Sequence, residues 1–202
     1  MVADWPAQLE RGVAEVALGG EGRSGDRAFF AAWPGGALVA AIDGLGHGDE
    51  AADAAEEAAR VLHRHAREEP APLLARCHEA LVRTRGVVMT LAWFDLEAAT
   101  LTWTGVGNVE GRLLRAAAPP GVAPESTLIK GGVVGYSLPT VRPTTTALAA
   151  GDLLVLATDG ISPAFGGSVA PGLAAQELAE RILAEHVRGT DDALVVVVRA
   201  KL

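Results

Sequence analysis

Aspartates recur in this chain where an apolar run meets a turn. Asp43 closes one run and is followed by Gly44-Leu45-Gly46-His47-Gly48. Asp159 closes another and is followed by Gly160. Asp191 and Asp192 stand immediately before a Val-rich run, and Asp26 ends Ser24-Gly25-Asp26 just ahead of a further apolar stretch. Each placement has an ordinary explanation, because Asp bonds its own turn and Asp-Gly is a common turn pair. Their recurrence suggests a second one. If the strands are neighbours, their ends gather carboxylates. Two unit charges 4 Å apart repel by about 1 kcal/mol in water and about 4 kcal/mol at an effective dielectric of 20. Such a group persists by protonation or by binding cations, and oxygen-only ligands select hard ions such as Mg²⁺ or Mn²⁺. Gly44, lacking a side chain, would let its backbone carbonyl approach an ion. The residues therefore allow a two-metal site, and they leave open whether the strands are adjacent.

Other reactive types read as structural. The single cysteine, Cys77, falls on the inner face of a helical pattern and is expected in the core. His63, His65, His78 and His186 lie on helical patterns away from the aspartates. Asn108 sits in Gly105-Val106-Gly107-Asn108, where turn geometry accounts for it.

The elements that must hold these residues can be read from period. Val13–Leu18 alternates as a strand, and residues 28–33 and 37–42 flank Pro34-Gly35-Gly36 as a hairpin. From Asp49 to Ala66 the period becomes helical, with Ala51, Ala55, Ala58, Leu62 and Ala66 on one face. A second helix over 72–84 turns Leu73, Leu74, Cys77, Leu81 and Val82 inward. Residues 87–96, 100–105 and 109–115 read as an antiparallel meander, followed by a loop over 116–126. Weaker strands are expected over 128–136 and 144–148, a buried strand over 152–157, a helix over 173–187 and a closing strand over 193–200. Strands grouped with strands and helices with helices indicate a layered α+β fold rather than alternating βαβ units.

Composition narrows the classes. The chain has 202 residues, with 17 Lys+Arg against 25 Asp+Glu and a net charge of −8, and half of its residues are hydrophobic. That length and apolar content support a sizeable core and exclude global disorder. The acidic balance argues against a nucleic-acid or anionic-membrane partner. One cysteine builds neither an intramolecular disulfide nor a thiolate zinc site. No signal-like N-terminus and no apolar run of about 20 residues is visible. A single domain over 1–202, cytoplasmic and monomeric, is expected.

Taken together, SGD at 24–26, AIDGLGHG at 41–48, RGVVMTLAWFD at 85–95, GVGNVEGRLL at 105–114, LLVLATDGI at 153–161 and TDDALVVVV at 190–198 resemble the PPM (PP2C-type) metal-dependent phosphatases. The resemblance covers about residues 20–200 and is strongest to the compact RsbX-like branch that serves the stressosome. It implies a four-layer αββα sandwich of two antiparallel sheets flanked by helices. It also implies two Mn²⁺ or Mg²⁺ ions, with Asp43 bridging them, Gly44 giving its carbonyl to one, and Asp159 and Asp191 holding the other. Asp26 would act on the activated water or bind a third ion. The resemblance leaves the ligand as Asp191 or Asp192, and the first is aligned with the family's. The implied reaction is hydrolysis of phosphoserine or phosphothreonine on STAS-domain regulators.

Two positions depart from the family. Its common His two residues after the bridging Asp is Leu45 here, and His47, two further on, is either a substitute acid or an ordinary turn residue. Its common phosphate-gripping Arg, five residues before the first Asp, is Glu21 here, with Arg23 and Arg27 nearby but out of register. These departures motivate a rival reading as a catalytically impaired phosphatase-fold binding module. A further rival is a GHKL-type ATPase, whose D-x-G-x-G box is loosely matched by Asp43-Gly44-Leu45-Gly46-His47-Gly48 but whose preceding Asn-bearing helix has no counterpart here.

Overall fold

A strand that is apolar at every position needs cover on both faces, and the chain folds so that several strands receive it. A computed structural model describes residues 4–20, 22–119, 121–167 and 172–202. In chain order the elements are β1 (Leu9–Val16), β2 (Asp26–Trp33), β3 (Gly36–Gly44), α1 (Asp49–His65), α2 (Pro70–Leu81), β4 (Val87–Asp95), β5 (Thr100–Val106) and β6 (Glu110–Leu114). They continue with β7 (Glu125–Ser126), β8 (Ile129–Lys130), β9 (Thr144–Ala147), β10 (Leu153–Ala157), α3 (Ala175–His186) and β11 (Ala193–Ala200). One sheet has the order β1-β11-β10-β6-β7, and the other has the order β2-β3-β4-β5-β8, with β9 also on β5.

Three apolar layers separate four structural ones. Leu194, Val196 and Val198 of β11 meet Val39 and Ala41 of β3 between the sheets. The opposite faces of the same strands turn outward. Val195 and Val197 pack under Leu178 and Ile182 of α3, while Leu38, Ala40 and Ile42 pack under Ala55, Ala58 and Leu62 of α1 and Leu74 of α2. The result is the expected αββα sandwich. The small residues of α1 let it lie close to the sheet. At Gly44 an added Cβ would stand 2.1 Å from the carbonyl oxygen of Ala51, so the first turn of α1 admits only glycine there.

The structure corrects several local expectations. β1 starts at Leu9 rather than Val13, because it pairs along its whole length with β11, from Leu9 opposite Ala200 to Val16 opposite Ala193. α2 starts at Pro70, whose ring suits a first helical turn, and ends before Val82, which is 62% exposed rather than inward. The three-strand meander fails at its last member. β4 and β5 pair, but β6 crosses to the other sheet and pairs with β10. The crossing occurs at Gly107, whose φ of +100° turns the chain out of the first ladder. The stretch 128–136 holds only the two-residue β8, which runs parallel to β5 in an otherwise antiparallel pair of sheets. Part of the expected loop over 116–126 pairs as β7 with β6.

Candidate metal centre

Two strand pairings bring the aspartates to one end of the sandwich. In the β2–β3 ladder Asp26 lies directly opposite Asp43. In the other sheet β10 runs out through Thr158 to Asp159, while β11 starts just after Asp191 and Asp192, with Thr158 N–H bonded to the carbonyl of Leu194 at 3.1 Å. Asp43, Asp159 and Asp191 line one cleft of about 380 Å³, together with Leu45, Gly46 and Asn108. Asp26 sits behind them, 6% exposed, and accepts a hydrogen bond from Thr158 Oγ1 at 2.6 Å.

The electrostatics follow from this packing. Burial pushes the Asp43 carboxyl up to about 8, and the charges of Asp26, Asp159, Asp191 and Asp192 push the same way. Burial likewise pushes Asp26 up to about 7, opposed by the Thr158 hydroxyl and reinforced by Asp192, Asp159 and Asp191. Asp159 is exposed but also lies above its ordinary value, first through desolvation and then through Asp191, with Arg188 and Asn108 opposing.

Asp192 differs from its neighbour. Its Oδ1 accepts from Leu18 N–H at 2.7 Å and its Oδ2 from Gly25 N–H at 2.6 Å. Both oxygens are thus committed to fastening the segment that leads to Asp26, while Asp191 faces the cleft. Asn108, read from sequence as a turn residue, donates Nδ2–H to Asp159 Oδ2 at 2.7 Å. Thr158 and Asn108 are the supports that sequence reading missed. Their partners lie 132 and 51 residues away, so no local pattern announces them.

The departures from the family pattern also take shape. Leu45 packs against the core between the sheets, and His47 is exposed in the turn before α1. Glu21 lies outside the described residues. Arg23 is turned to Asp53 at 2.7 Å and Glu56 at 3.1 Å. Cys77 is buried, with its thiol pushed up to about 12 by desolvation, as suits a core residue.

The donor set fits hard divalent cations. Three carboxylates from both sheets border one cleft, and their mutual repulsion is the kind that a cation relieves. Among the described residues no three Asp, Glu, His or Cys side chains are already gathered as a complete cage. The carboxylates share a cleft and a field, with Gly44 beside them, buried and bonded through its N–H to the Gly25 carbonyl at 3.0 Å.

Comparison with known proteins gives the family and the fold. Residues 34–201 match the family model of stage II sporulation protein E (SpoIIE), and the chain belongs to that family of PP2C-type phosphatases. A structure solved in work on the bacterial stressosome, as a modular system adapted to control secondary messenger signalling, is 30% identical. The match covers 95% of this chain and 99% of that one, with a TM-score of 0.85. RsbX in complex with magnesium shares the fold at 20% identity, 98% coverage of both chains and a TM-score of 0.85. The PP2C domain and regulatory fragment of SpoIIE from Bacillus subtilis align at 24% identity over 96% of this chain and 63% of that one, with a TM-score of 0.78. No curated protein matches. The ATPase reading falls, because the residues before Asp43 are the hairpin β2–β3 and Asn108 lies in a turn. No described helix is long and apolar enough to cross a membrane.

Proposed function

We propose that this member of the SpoIIE family hydrolyses phosphoserine or phosphothreonine on STAS-domain regulators of a stressosome-like complex, with Mn²⁺ or Mg²⁺ bound in the acidic cleft. The observation that carries the reading is the convergence of Asp43, Asp159 and Asp191 from two sheets on one cleft. Asp43, the Gly44 carbonyl, Asp159 and Asp191 would hold two ions. Bound there, divalent cations neutralise phosphoryl oxygens and activate water at neutral pH. The chain's own residues do the positioning. Asn108 fixes one oxygen of Asp159, Asp192 fastens the Ser24–Asp26 segment, and Thr158 orients Asp26. Asp26, titrating near neutrality and hidden from bulk solvent, is suited to hold or release a proton, or to hold a third ion.

The substrate class is supported by the likeness to the stressosome structure at 30% identity over nearly both chains. We further propose that the chain acts as a cytoplasmic, monomeric, single domain over 1–202. The test is phosphate release from a phosphorylated STAS-domain protein with and without Mn²⁺. Metal-dependent release is expected. Absence of turnover on that protein and on generic phosphopeptides would defeat the reading.

A further inference from the structure

β2 is the outer strand of its sheet, paired with β3 on one side only. Its free side opens on a groove made of three adjoining hollows of about 400, 320 and 360 Å³. The first and second share Arg27, and the second and third share His63 and Arg64. The groove therefore runs from the Ser24–Asp26 end, where the carboxylates gather, along α1 to Trp33 and Arg67. Consecutive residues line it, Asp26-Arg27-Ala28 at one end and Ala31-Ala32-Trp33 at the other. Consecutive strand residues point to opposite faces, so what they share along the groove is the backbone edge. An edge of this kind offers unpaired N–H and C=O groups to another extended chain.

The rim is basic in an acidic protein. Arg27, Arg60, Arg64 and Arg67 border the groove with His63, against Glu15, Glu56 and Glu68, the last of which is paired with Arg76. Glu57 pairs with Arg60, and Glu56 lies 3.9 Å from Arg27, so those charges are partly spent within the molecule. Arg64 and Arg67 are exposed and form no ion pair among the described residues. Cations suit the last turn of a helix on their own account. That effect explains neither the groove between them and β2 nor its floor of Ala31, Ala32 and Ala59, small enough to admit a backbone.

We propose that this groove binds an extended, acidic segment of the phosphoprotein substrate as a strand added to β2, with its carboxylates against Arg64 and Arg67. The word substrate rests on the phosphatase reading, whereas the binding does not. The site lies outside the cleft and confers partner selection rather than chemistry.

The test uses a fluorescein-labelled peptide of alternating Glu and Val, matched to the 8 residues of β2, with binding followed by anisotropy. Binding that weakens with salt is expected, and Arg64→Glu with Arg67→Glu should weaken it roughly tenfold. The same peptide N-methylated on alternate amides should bind much less, because it cannot complete the ladder. Manganese-dependent hydrolysis of p-nitrophenyl phosphate should be equal in variant and wild type. Arg64→Gln with Arg67→Gln serves if the charge reversal lowers the melting temperature. No peptide binding by the wild type, unchanged affinity in the variant, or equal binding of the N-methylated peptide overturns the proposal. So does a single-stranded oligonucleotide that binds as tightly and is equally sensitive to the variant. If the ester is hydrolysed by neither protein, the catalytic reading falls while the peptide arms still decide the groove.

Discussion

Strand β10 carries a carboxylate at each end, and the two are housed in opposite ways. At its start Asp152 is 2% exposed, yet it is fully partnered. It accepts from Arg115 Nη1 at 2.8 Å and from the N–H groups of Ala116 and Ala149 at 3.0 Å each. Arg115 in turn reaches Glu125 at 2.6 Å and so ties β10 to β6 and β7. Two residues beyond the strand's end the chain reaches Asp159, which is more exposed but keeps a close side-chain donor, Asn108, and faces the like charge of Asp191. Asp26 keeps one donor as well, Thr158 Oγ1, while Asp43 has none among the described residues and feels the charges of Asp26, Asp159, Asp191 and Asp192. A buried acid held for stability is surrounded by cations and N–H groups. A buried acid surrounded by other acids is held for a ligand. The molecule contains both kinds, Asp152 at the start of β10 and Asp26 and Asp43 on the facing ends of β2 and β3, a contrast visible without reference to any relative.

That contrast can be broken most directly by substitution. Asp43→Asn should lower metal-dependent phosphate release at least about a hundredfold while leaving the circular dichroism spectrum intact. Asp159→Asn should do the same, and in chelator it should melt above the wild type because repulsion falls. Unchanged turnover removes that residue from the site. Asp152→Ala should do the reverse, costing about 3 kcal/mol in urea unfolding because Arg115 loses its buried partner, with metal affinity unchanged in the folded protein.

The pH dependence sharpens the comparison. Asp26 and Asp43 titrate at about 7 and about 8 in the folded chain, against roughly 3.9 unfolded. The folded state therefore binds the extra protons, and stability is highest below the unfolded value and is lost as pH rises through the folded ones. In chelator the melting temperature should fall between about pH 6 and pH 9, and Mn²⁺ should flatten that slope. A chelated protein whose melting temperature rises over this range would contradict the assignment. The smallest effect is expected at Asn108→Ala, which frees one oxygen of Asp159. The midpoint of a calorimetric Mn²⁺ titration should move about tenfold to weaker binding, with stability little changed.

Much of this was legible from the residues. The closing strand over 193–200, the α1 face of Ala51, Ala55, Ala58 and Leu62, and the hairpin before Asp43 are local patterns that tertiary packing supported. The early start of β1, the passage of β6 to the other sheet and the pairing of β7 were not. Each depends on a partner far along the chain, and periodicity carries no information about partners. The same division holds at the site. Asp26, Asp43, Asp159 and Asp191 stand out because an acid at a strand end is locally visible. Asn108 and Thr158 do not, because an amide in a turn and a hydroxyl after a strand are unremarkable until the acid each one touches is known.

The contact at Gly44 has a mechanical consequence. With the Ala51 carbonyl occupying the space of a Cβ, the first turn of α1 bears directly on the strand that carries Asp43. α1 is 17 residues long, a stiff rod of about 25 Å, and its far end forms one wall of the groove beside β2. Seven residues of α1, from Ala51 to Leu62, are buried along its length, so the helix is held against the sheet from its first turn onward. The glycine that makes room for the helix thereby sets how closely its first turn can sit on the strand of Asp43.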